Sequence, residues 1–241
     1  MRTAAVLPVK SFAKAKQRLG ASVADRLRLE LARAMVADVL LALAQAEAIE
    51  LTIVVTREES VARSASELGA AVIEDHAEAG QSAAATLGIQ RALADGFERV
   101  LCVPGDCPAL DPAELDALLE AHPDAASHPA DSGVREQSAP AVTIIPDRHG
   151  TGTNGLLLTP PDAIVPSFGS DSCERHGRLA RAAGISPRLE RLSSLLLDID
   201  TGADLAALRD RLAGHSARAS RTRAVLGQPE RTDVITITTT A

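Results

Sequence analysis

The chain alternates short, continuous runs of apolar residues with longer segments in which apolar residues recur about every 3.6 positions. Short apolar runs bounded by turn residues predict β-strands, and the lack of polar alternation within them indicates a sheet covered on both faces. We expect seven strands, in chain order at Thr3–Val9, Leu51–Thr56, Ala70–Glu74, Arg99–Val103, Ala141–Ile145, Gly155–Leu158 and Leu195–Ile199.

The segments with helical spacing lie between these strands. The first carries Leu27, Leu31 and Met35 on one face, and Asp111 followed by Pro112 is a typical helix start. Because strands and helices alternate, we predict an α/β fold built as a three-layer sandwich. The predicted helices cover roughly Ser22–Glu47, Glu58–Leu68, Gln81–Ala94, Pro112–Glu120, Ser172–Ala183 and Ala203–Leu212.

Two segments lack a periodic pattern. Residues 122–140 are polar with three prolines, which indicates a surface loop or flap. Residues 213–241 are rich in Ser, Arg and Thr and are predicted to form a mobile tail, although Val234–Thr238 could form an edge strand. We therefore expect one domain at 1–212, followed by the tail.

The composition excludes several classes of function. A net charge of −7, with three Phe and no Trp or Tyr, argues against a nucleic-acid partner. No apolar stretch is long enough to span a membrane, and no signal peptide opens the chain. Three cysteines without zinc-type spacing suggest reduced thiols, so we expect a cytoplasmic protein without a membrane partner.

All three lysines lie within seven residues, although the other 22 of the 25 basic residues are arginines. Lys10, Lys14 and Lys16, together with Arg18, directly follow the first predicted strand. A loop with four cations at a strand end is suited to hold a polyanion such as a phosphate chain. The alternative is a solvated basic turn beside a helix.

Aspartates lie at the ends of two other predicted strands. Asp106 lies in a Pro-Gly turn after a predicted strand, and ligands of open α/β sheets bind at the carboxyl ends of strands. Asp198 and Asp200 are two positions apart, so in a strand they share a face and repel each other unless a cation such as Mg²⁺ lies between them. The alternatives are an ordinary turn aspartate at 106 and a helix cap at Asp200 or Thr201.

Two glycine-containing segments offer neutral donors. Gly150, Gly152 and Gly155 match G-x-G-x-x-G, but a strand rather than a helix follows, so we reject a dinucleotide site. Phe168–His176 opens a helix, and Gly169 and Ser172 lie where an anion would bind. Asp171 with Glu174 predicts a capping box, and a plain capped helix is the alternative. A Ser172–His176 hydrolase triad is disfavoured because residues four apart on one helix make poor nucleophile–base geometry.

Taken in order, five segments resemble the guanylyltransferases of deazaflavin coenzyme F-420 biosynthesis, which act on 2-phospho-L-lactate or phosphoenolpyruvate. The resemblance covers about residues 3 to 212 and implies a nucleotide-diphospho-sugar-transferase-like fold with a mixed, mostly parallel sheet. The segments are Pro8-Val-Lys10 with Ala15-Lys16-Gln-Arg18-Leu19, Gly105-Asp106-Cys-Pro108, Gly152-Thr153-Asn154, Phe168-Gly169-Ser-Asp-Ser172 with His176, and Asp198-Ile-Asp200-Thr201 with Asp204-Leu205.

The resemblance also implies roles for individual residues. Divalent metal, taken as Mg²⁺, would be held by Asp106, Asp198 and Asp200. A phosphorylated three-carbon acid would be held by Thr153, Gly169 and Ser172, and the GTP triphosphate would face Lys10, Lys16 and Arg18. The chain departs from many members at about Ser82-Ala83, where they carry Leu-Asn, which leaves a nucleotide contact there open.

The expected function is therefore transfer of GMP from GTP to the phosphate of a three-carbon acid. An Ala-, Arg- and Asp-rich, Lys-poor composition of actinobacterial type favours phosphoenolpyruvate, with enolpyruvyl-diphospho-guanosine and pyrophosphate as products. The expected partners are GTP, the acid, and a downstream transferase that accepts the unstable product. The alternatives are 2-phospho-L-lactate or 3-phosphoglycerate as acceptor, a sugar-phosphate or molybdopterin-type nucleotidyltransferase, and a non-catalytic nucleotide-binding regulator.

Overall fold

The computed structural model of the chain describes residues 1–12, 19, 24–121, 139–213 and 218–227. Lys14, Lys16, Arg18, most of the predicted flap and the predicted edge strand Val234–Thr238 lie outside the described residues.

Within the described residues, seven strands form one sheet. They are β1 (Thr3–Val9), β2 (Leu51–Thr56), β3 (Ala71–Glu74), β4 (Arg99–Cys102), β5 (Ala141–Pro146), β6 (Thr153–Thr159) and β7 (Arg188–Leu189). Their order is β3-β2-β1-β4-β6-β5-β7. Only β6 runs antiparallel to its neighbours β4 and β5, and the other pairs are parallel. The predicted mixed, mostly parallel sheet is confirmed.

Helices cover both faces of this sheet. They are α1 (Asp25–Gln45), α2 (Glu59–Glu67), α3 (Gln81–Ala94), α4 (Pro112–Glu120), α5 (Ser172–Ala182), α6 (Gly202–Leu212) and α7 (Ser220–Leu226), with a 3₁₀ turn at Ser193–Leu195. Every residue of β1 is buried. Its alternate side chains pack into two different cores. Leu7 packs with α1, α2 and α4 on one face of the sheet, and Val6 packs with α3 and α5 on the other. The three-layer prediction is therefore confirmed.

A glycine sets the distance between α3 and the sheet. A Cβ added at Gly88 would lie 2.4 Å from Cγ1 of Val6, well inside van der Waals contact. Because Gly88 has no side chain, α3 packs directly on β1, and its N-terminus is brought to the carboxyl end of that strand.

Helix α7 lies within the segment predicted to be a tail. Asp38 on α1 is buried, and its carboxylate accepts hydrogen bonds from the backbone N–H groups of Arg221 (3.1 Å) and Thr222 (2.8 Å). These N–H groups lie in the first turn of α7, where they have no partner within the helix. Asp38 therefore caps α7 from a distance of 184 positions in sequence.

One strand prediction is wrong. Leu195–Ile199 begins in the 3₁₀ turn and continues as an irregular segment outside the sheet. Its apolar residues are buried all the same, with Leu195 in the core below α1 and Leu197 and Ile199 in a third cluster that contains Leu31, Met35 and Leu205. The apolar run therefore reflects burial between helices, not pairing in a sheet.

Candidate active site

A cavity of about 650 Å³ opens at the edge of the sheet where the parallel strands end. Strand β6 runs in the opposite direction, so its first residues lie at the same edge. The cavity wall therefore collects residues from seven segments of the chain. Seven of the residues that the sequence predicts for the site line this cavity, namely Lys10, Asp106, Thr153, Gly169, Ser172, Asp198 and Asp200.

The three predicted metal-binding aspartates lie on two adjacent loops. The backbone N–H of Ile199 donates to the carbonyl oxygen of Asp106 at 3.2 Å, which joins the loop after β4 to the irregular segment. Ile199 is buried and its neighbours Asp198 and Asp200 are half-buried, so the two carboxylates lie on the same side despite the absence of a strand.

The carboxylates repel one another. Burial raises the pKa of Asp198 above its ordinary value, and the charges of Asp106 and Asp200 raise it further. A divalent cation would relieve this repulsion, and the oxygen-only donor set suits Mg²⁺. Across the described residues, no three His, Cys, Asp or Glu side chains converge closely enough to ligate an ion unaided. The arrangement thus fits an ion shared between one or two carboxylates and substrate phosphates.

Two side chains hold the irregular segment in place. The Asn154 amide donates to the carbonyl oxygen of Leu195 at 2.7 Å and to Asp198 Oδ1 at 3.3 Å. Asp204 accepts from the backbone N–H groups of Asp200 (3.1 Å) and Thr201 (2.7 Å) and pairs with Arg148. Both contacts link the segment to the β5–β6 hairpin.

Thr201 is the N-cap of α6 and forms a capping box with Asp204. Burial opposes ionisation of Asp204, but hydrogen bonds from Thr201 and Asp200 and the Arg148 charge hold its pKa below the ordinary value. The helix-cap alternative is therefore correct for Thr201. Because Thr201 is the cap, the Asp200 side chain is not the capping group and lies on the cavity wall.

The predicted acceptor residues also meet. The N–H of Cys173 donates to the carbonyl oxygen of Thr151 at 3.0 Å, which places the start of α5 against the start of β6. Gly169 has φ +111°, a conformation that other residues rarely adopt. The capping box predicted at Asp171 is wrong, because this N-cap residue has φ 55° and its side chain makes no capping hydrogen bond.

His176, on α5, lies between the loop before that helix and the start of β6. Its Nδ1 is 3.0 Å from Oγ1 of Thr153, and its Nε2 accepts from the backbone N–H of Ser167 at 2.8 Å. Both ring nitrogens are thus used by residues other than Ser172, which removes the hydrolase triad. Burial, aided by the Arg175 charge, lowers the pKa of His176 to about 4.

These observations place a half-buried carboxylate cluster and a set of neutral donors in one cavity. The profile of one protein family, described as guanylyl transferase CofC like, matches residues 3–220. The chain belongs to this guanylyl transferase family. The family profile extends past the predicted boundary at 212 to the first residue of α7.

Named relatives agree with the family. A phosphoenolpyruvate guanylyltransferase from Conexibacter woesei is 44% identical over 233 residues, which cover 97% of this chain and 99% of the relative. A 3-phospho-D-glycerate guanylyltransferase from Phenylobacterium zucineum is 35% identical over 203 residues, covering 83% of this chain and 86% of the relative.

Solved structures share the fold at lower identity. A protein from Desulfovibrio desulfuricans G20, assigned as a nucleotide-diphospho-sugar transferase, superposes with a TM-score of 0.70 at 19% identity and covers 94% of each chain. A Mycobacterium tuberculosis protein in complex with manganese gives 0.54 at 17% identity and covers 87% of this chain and 99% of its own. The predicted fold of nucleotide-diphospho-sugar-transferase type is confirmed.

The cavity of this guanylyl transferase family member also has wall residues that the sequence prediction did not assign to the site. Asp75, Glu78, Gly80 and Gln81 line the cavity on the β3 side. Ser82, at the position where the chain departs from many members, accepts a hydrogen bond from the N–H of Phe168 at 2.8 Å and so ties α3 to the loop before α5. Strand ends were a usable signal for Asp75, but no local pattern predicted the contact between Ser82 and Phe168.

Lys10 is exposed at the end of β1 and lines the cavity. No helix in the described part of this family member is long and apolar enough to cross a membrane.

Proposed function

We propose that this guanylyl transferase moves GMP from GTP to the phosphate of phosphoenolpyruvate in coenzyme F-420 biosynthesis. The products would be enolpyruvyl-diphospho-guanosine and pyrophosphate. The observation that carries the proposal is that Asp106, Asp198 and Asp200 line the same cavity as the hydroxyl-bearing Thr153 and Ser172. The 44% identity to a phosphoenolpyruvate guanylyltransferase supports the choice of acceptor.

The reaction needs positioning more than a strong base. A phosphate oxygen of the acid, already ionised at neutral pH, attacks the α-phosphorus of GTP. The new P–O bond replaces the bond between the α-phosphorus and its bridging oxygen, which leaves with pyrophosphate. Such transfers depend on alignment and on neutralisation of charge. This agrees with the absence, among the described cavity residues, of a histidine on the wall.

Asp106, Asp198 and Asp200 would supply the carboxylates for the divalent metal, for which we propose Mg²⁺, with one or two carboxylates and the substrate phosphates on each ion. When bound, the metal would neutralise phosphate charge and polarise the α-phosphate. The raised pKa of Asp198 supports this role, because the crowded carboxylates gain most from a cation. Asn154 and Asp204 would keep two of these carboxylates in position through their contacts with the 198–201 segment.

Lys10, Lys16 and Arg18 would stabilise the departing pyrophosphate. Lys10 lies on the cavity wall. In sequence, Lys16 and Arg18 lie between Phe12 and Leu19. Leu19 is buried in the same cluster as Ile199, the residue between the proposed metal ligands Asp198 and Asp200. We therefore assign the triphosphate to the β1 side of the cavity, where ammonium and guanidinium groups suit a polyanion.

Thr153, Gly169 and Ser172 would bind the acid. Ser172 and Thr153 are buried hydroxyls at the cavity wall, and the bare backbone of Gly169 permits close approach. The N–H groups of Ser172 and Cys173 already donate to Gly169 and Thr151, so the hydroxyls matter more here than the first helix N–H groups.

All of these residues precede residue 212, and we propose that 1–212 carries the catalytic site, in a cytoplasmic enzyme that passes its product to a downstream transferase. The described residues after 212 contribute nothing to the cavity wall.

The test is an acceptor screen. The protein is incubated with GTP and Mg²⁺, or Mn²⁺, and with phosphoenolpyruvate, 2-phospho-L-lactate or 3-phosphoglycerate, and products are identified by mass. We expect the guanylylated acid and pyrophosphate with phosphoenolpyruvate. Preference for 3-phosphoglycerate is the second candidate, because a relative at 35% identity carries that name. Binding of GTP without pyrophosphate release under every condition would instead indicate a regulator.

A further inference from the structure

His176 is a fully buried, polar side chain that contacts the proposed acceptor site from below. It is 0% exposed, and its two ring nitrogens meet Thr153 on β6 and Ser167 in the loop before α5. Thr153 lines the cavity directly, and the loop that starts at Ser167 continues through Gly169 to Ser172.

The hydrogen bonds determine which nitrogen carries the proton. The Ser167 backbone N–H can only donate, so Nε2 must be the unprotonated acceptor. The neutral ring therefore has its proton on Nδ1 and donates it to Oγ1 of Thr153. With one lone pair of its oxygen occupied in this way, the Thr153 hydroxyl directs its own proton elsewhere.

We propose that His176 is a positioning residue that makes Thr153 a hydrogen-bond donor toward the anionic acceptor. The proposal rests on the acceptor role assigned to Thr153, Gly169 and Ser172 under the proposed function. An anion cannot donate, so a threonine whose hydroxyl were turned the other way would present an oxygen lone pair and repel it.

The surroundings of His176 keep this arrangement rigid. The Phe168 ring packs edge-on against the imidazole, with centroids 5.1 Å apart. The neighbouring Arg175 donates to the hydroxyl (3.0 Å) and carbonyl oxygen (3.3 Å) of Ser167. Two successive residues of α5 thus hold the loop, and the low pKa of His176 keeps the ring neutral at physiological pH.

Two substitutions separate the contacts. The amide oxygen of His176→Gln can occupy the Nε2 position and accept from Ser167, but it loses the donor to Thr153. The amide nitrogen of His176→Asn can occupy the Nδ1 position and donate to Thr153, but it loses Ser167. His76→Gln, at an exposed histidine that does not itself line the cavity, is the matched control.

We expect His176→Gln to raise the KM for the acid by about tenfold or more, the scale of a hydrogen bond to a charged group. Its KM for GTP should stay within about twofold of wild type. His176→Asn should raise the acceptor KM less than His176→Gln does. Thr153→Val should match His176→Gln, and the double variant should lose no more than either single one.

A tautomer measurement makes the result independent of turnover. ¹⁵N chemical shifts of the metal-free protein, with the His176 signals assigned by their loss in His176→Asn, should show the Nδ1–H form. An Nε2–H tautomer, or multiplicative losses in the double variant, overturns the inference. Absence of product from the wild-type enzyme with every acid would count against the proposed function instead, and the tautomer and the calorimetric affinity for the acid would still test His176.

Discussion

At the scale of single residues, the site concentrates charge that the fold alone would avoid. Asp198 is partly buried beside Asp106, and its pKa is raised by burial first and by that neighbour second. A group with this environment weakens the folded state when ionised and gains from a cation. We therefore attribute its presence to the proposed metal site and not to stability.

Replacing Asp198 should therefore separate catalysis from stability. We expect Asp198→Asn to lower turnover about a hundredfold or more, the scale of a lost preorganised electrostatic group. The melting temperature without metal should be unchanged or higher, because the neutral amide ends the repulsion and can still accept from Asn154. Pyrophosphate release and calorimetry measure the two effects, with the exposed Asp210→Asn as control. Normal turnover in Asp198→Asn would remove the metal assignment.

His176 should make stability depend on pH. Its pKa is lowered from 6.5 to about 4, so between these values the unfolded state binds a proton that the folded state does not. Stability is therefore complete above about pH 6.5 and is lost as the pH falls toward 4. The loss should reach about 3 kcal/mol.

Urea unfolding at a series of pH values measures this effect. His176→Gln lacks the titrating group, so its stability should change less over the same range. A stability difference between wild type and variant that does not vary with pH would contradict the assignment.

At the scale of elements, the start of α5 combines an unusual backbone with the proposed acceptor loop. Gly169 has φ +111°, and a Cβ there would meet only the Arg175 guanidinium, at 3.9 Å. A side chain would therefore strain the backbone and also add bulk to the cavity wall at which we propose that the acid binds. The two effects require separate controls.

We expect Gly169→Val to abolish product formation with every three-carbon acid, while the free energy of GTP·Mg²⁺ binding by calorimetry stays within about 1 kcal/mol of wild type. Gly169→Ala should weaken acceptor use less. Gly184→Ala is the matched control, because Gly184 has φ +75° at the other end of α5 and nothing within 4 Å of its added Cβ. Loss of GTP binding in a folded Gly169→Val protein would assign this loop to the nucleotide.

At the scale of the whole molecule, α7 connects the end of the described chain to α1. The Asp38 carboxylate is buried and accepts hydrogen bonds from the backbone N–H groups of Arg221 and Thr222 in the first turn of α7. Removal of the helix would leave this carboxylate without those donors and would expose the apolar surface of α1. A boundary at residue 212 therefore has a physical consequence.

Two truncations test that boundary. A chain ending at Gly227 should match the full chain in urea unfolding. A chain ending at Leu212 should lose about 2 kcal/mol or more of unfolding free energy, because a buried carboxylate loses its partners. Equal stability of the two truncated chains would show that the domain ends at 212 and that the rest is dispensable.

How far the sequence predicts the site depends on the range of the interactions. Asp106 and Gly169 carry local turn signals, and strand ends point to a common edge. Asn154 instead acquires its role through Asp198, 44 positions away, and His176 through Thr153, 23 positions away. Such contacts leave no periodic trace, so the triad at His176 could only be disfavoured and its real partners could not be named.

The sequence alone determined the layers and six of the seven strands, because buried strands and helices impose periods that can be counted along the chain. The family followed instead from the resemblance of five short segments. Only the tertiary structure decided that Leu195–Ile199 lies outside the sheet, since an apolar run is equally compatible with burial between helices. It also decided that Asp198 and Asp200 line the same cavity as Asp106, because one backbone hydrogen bond from Ile199 brings the two loops together.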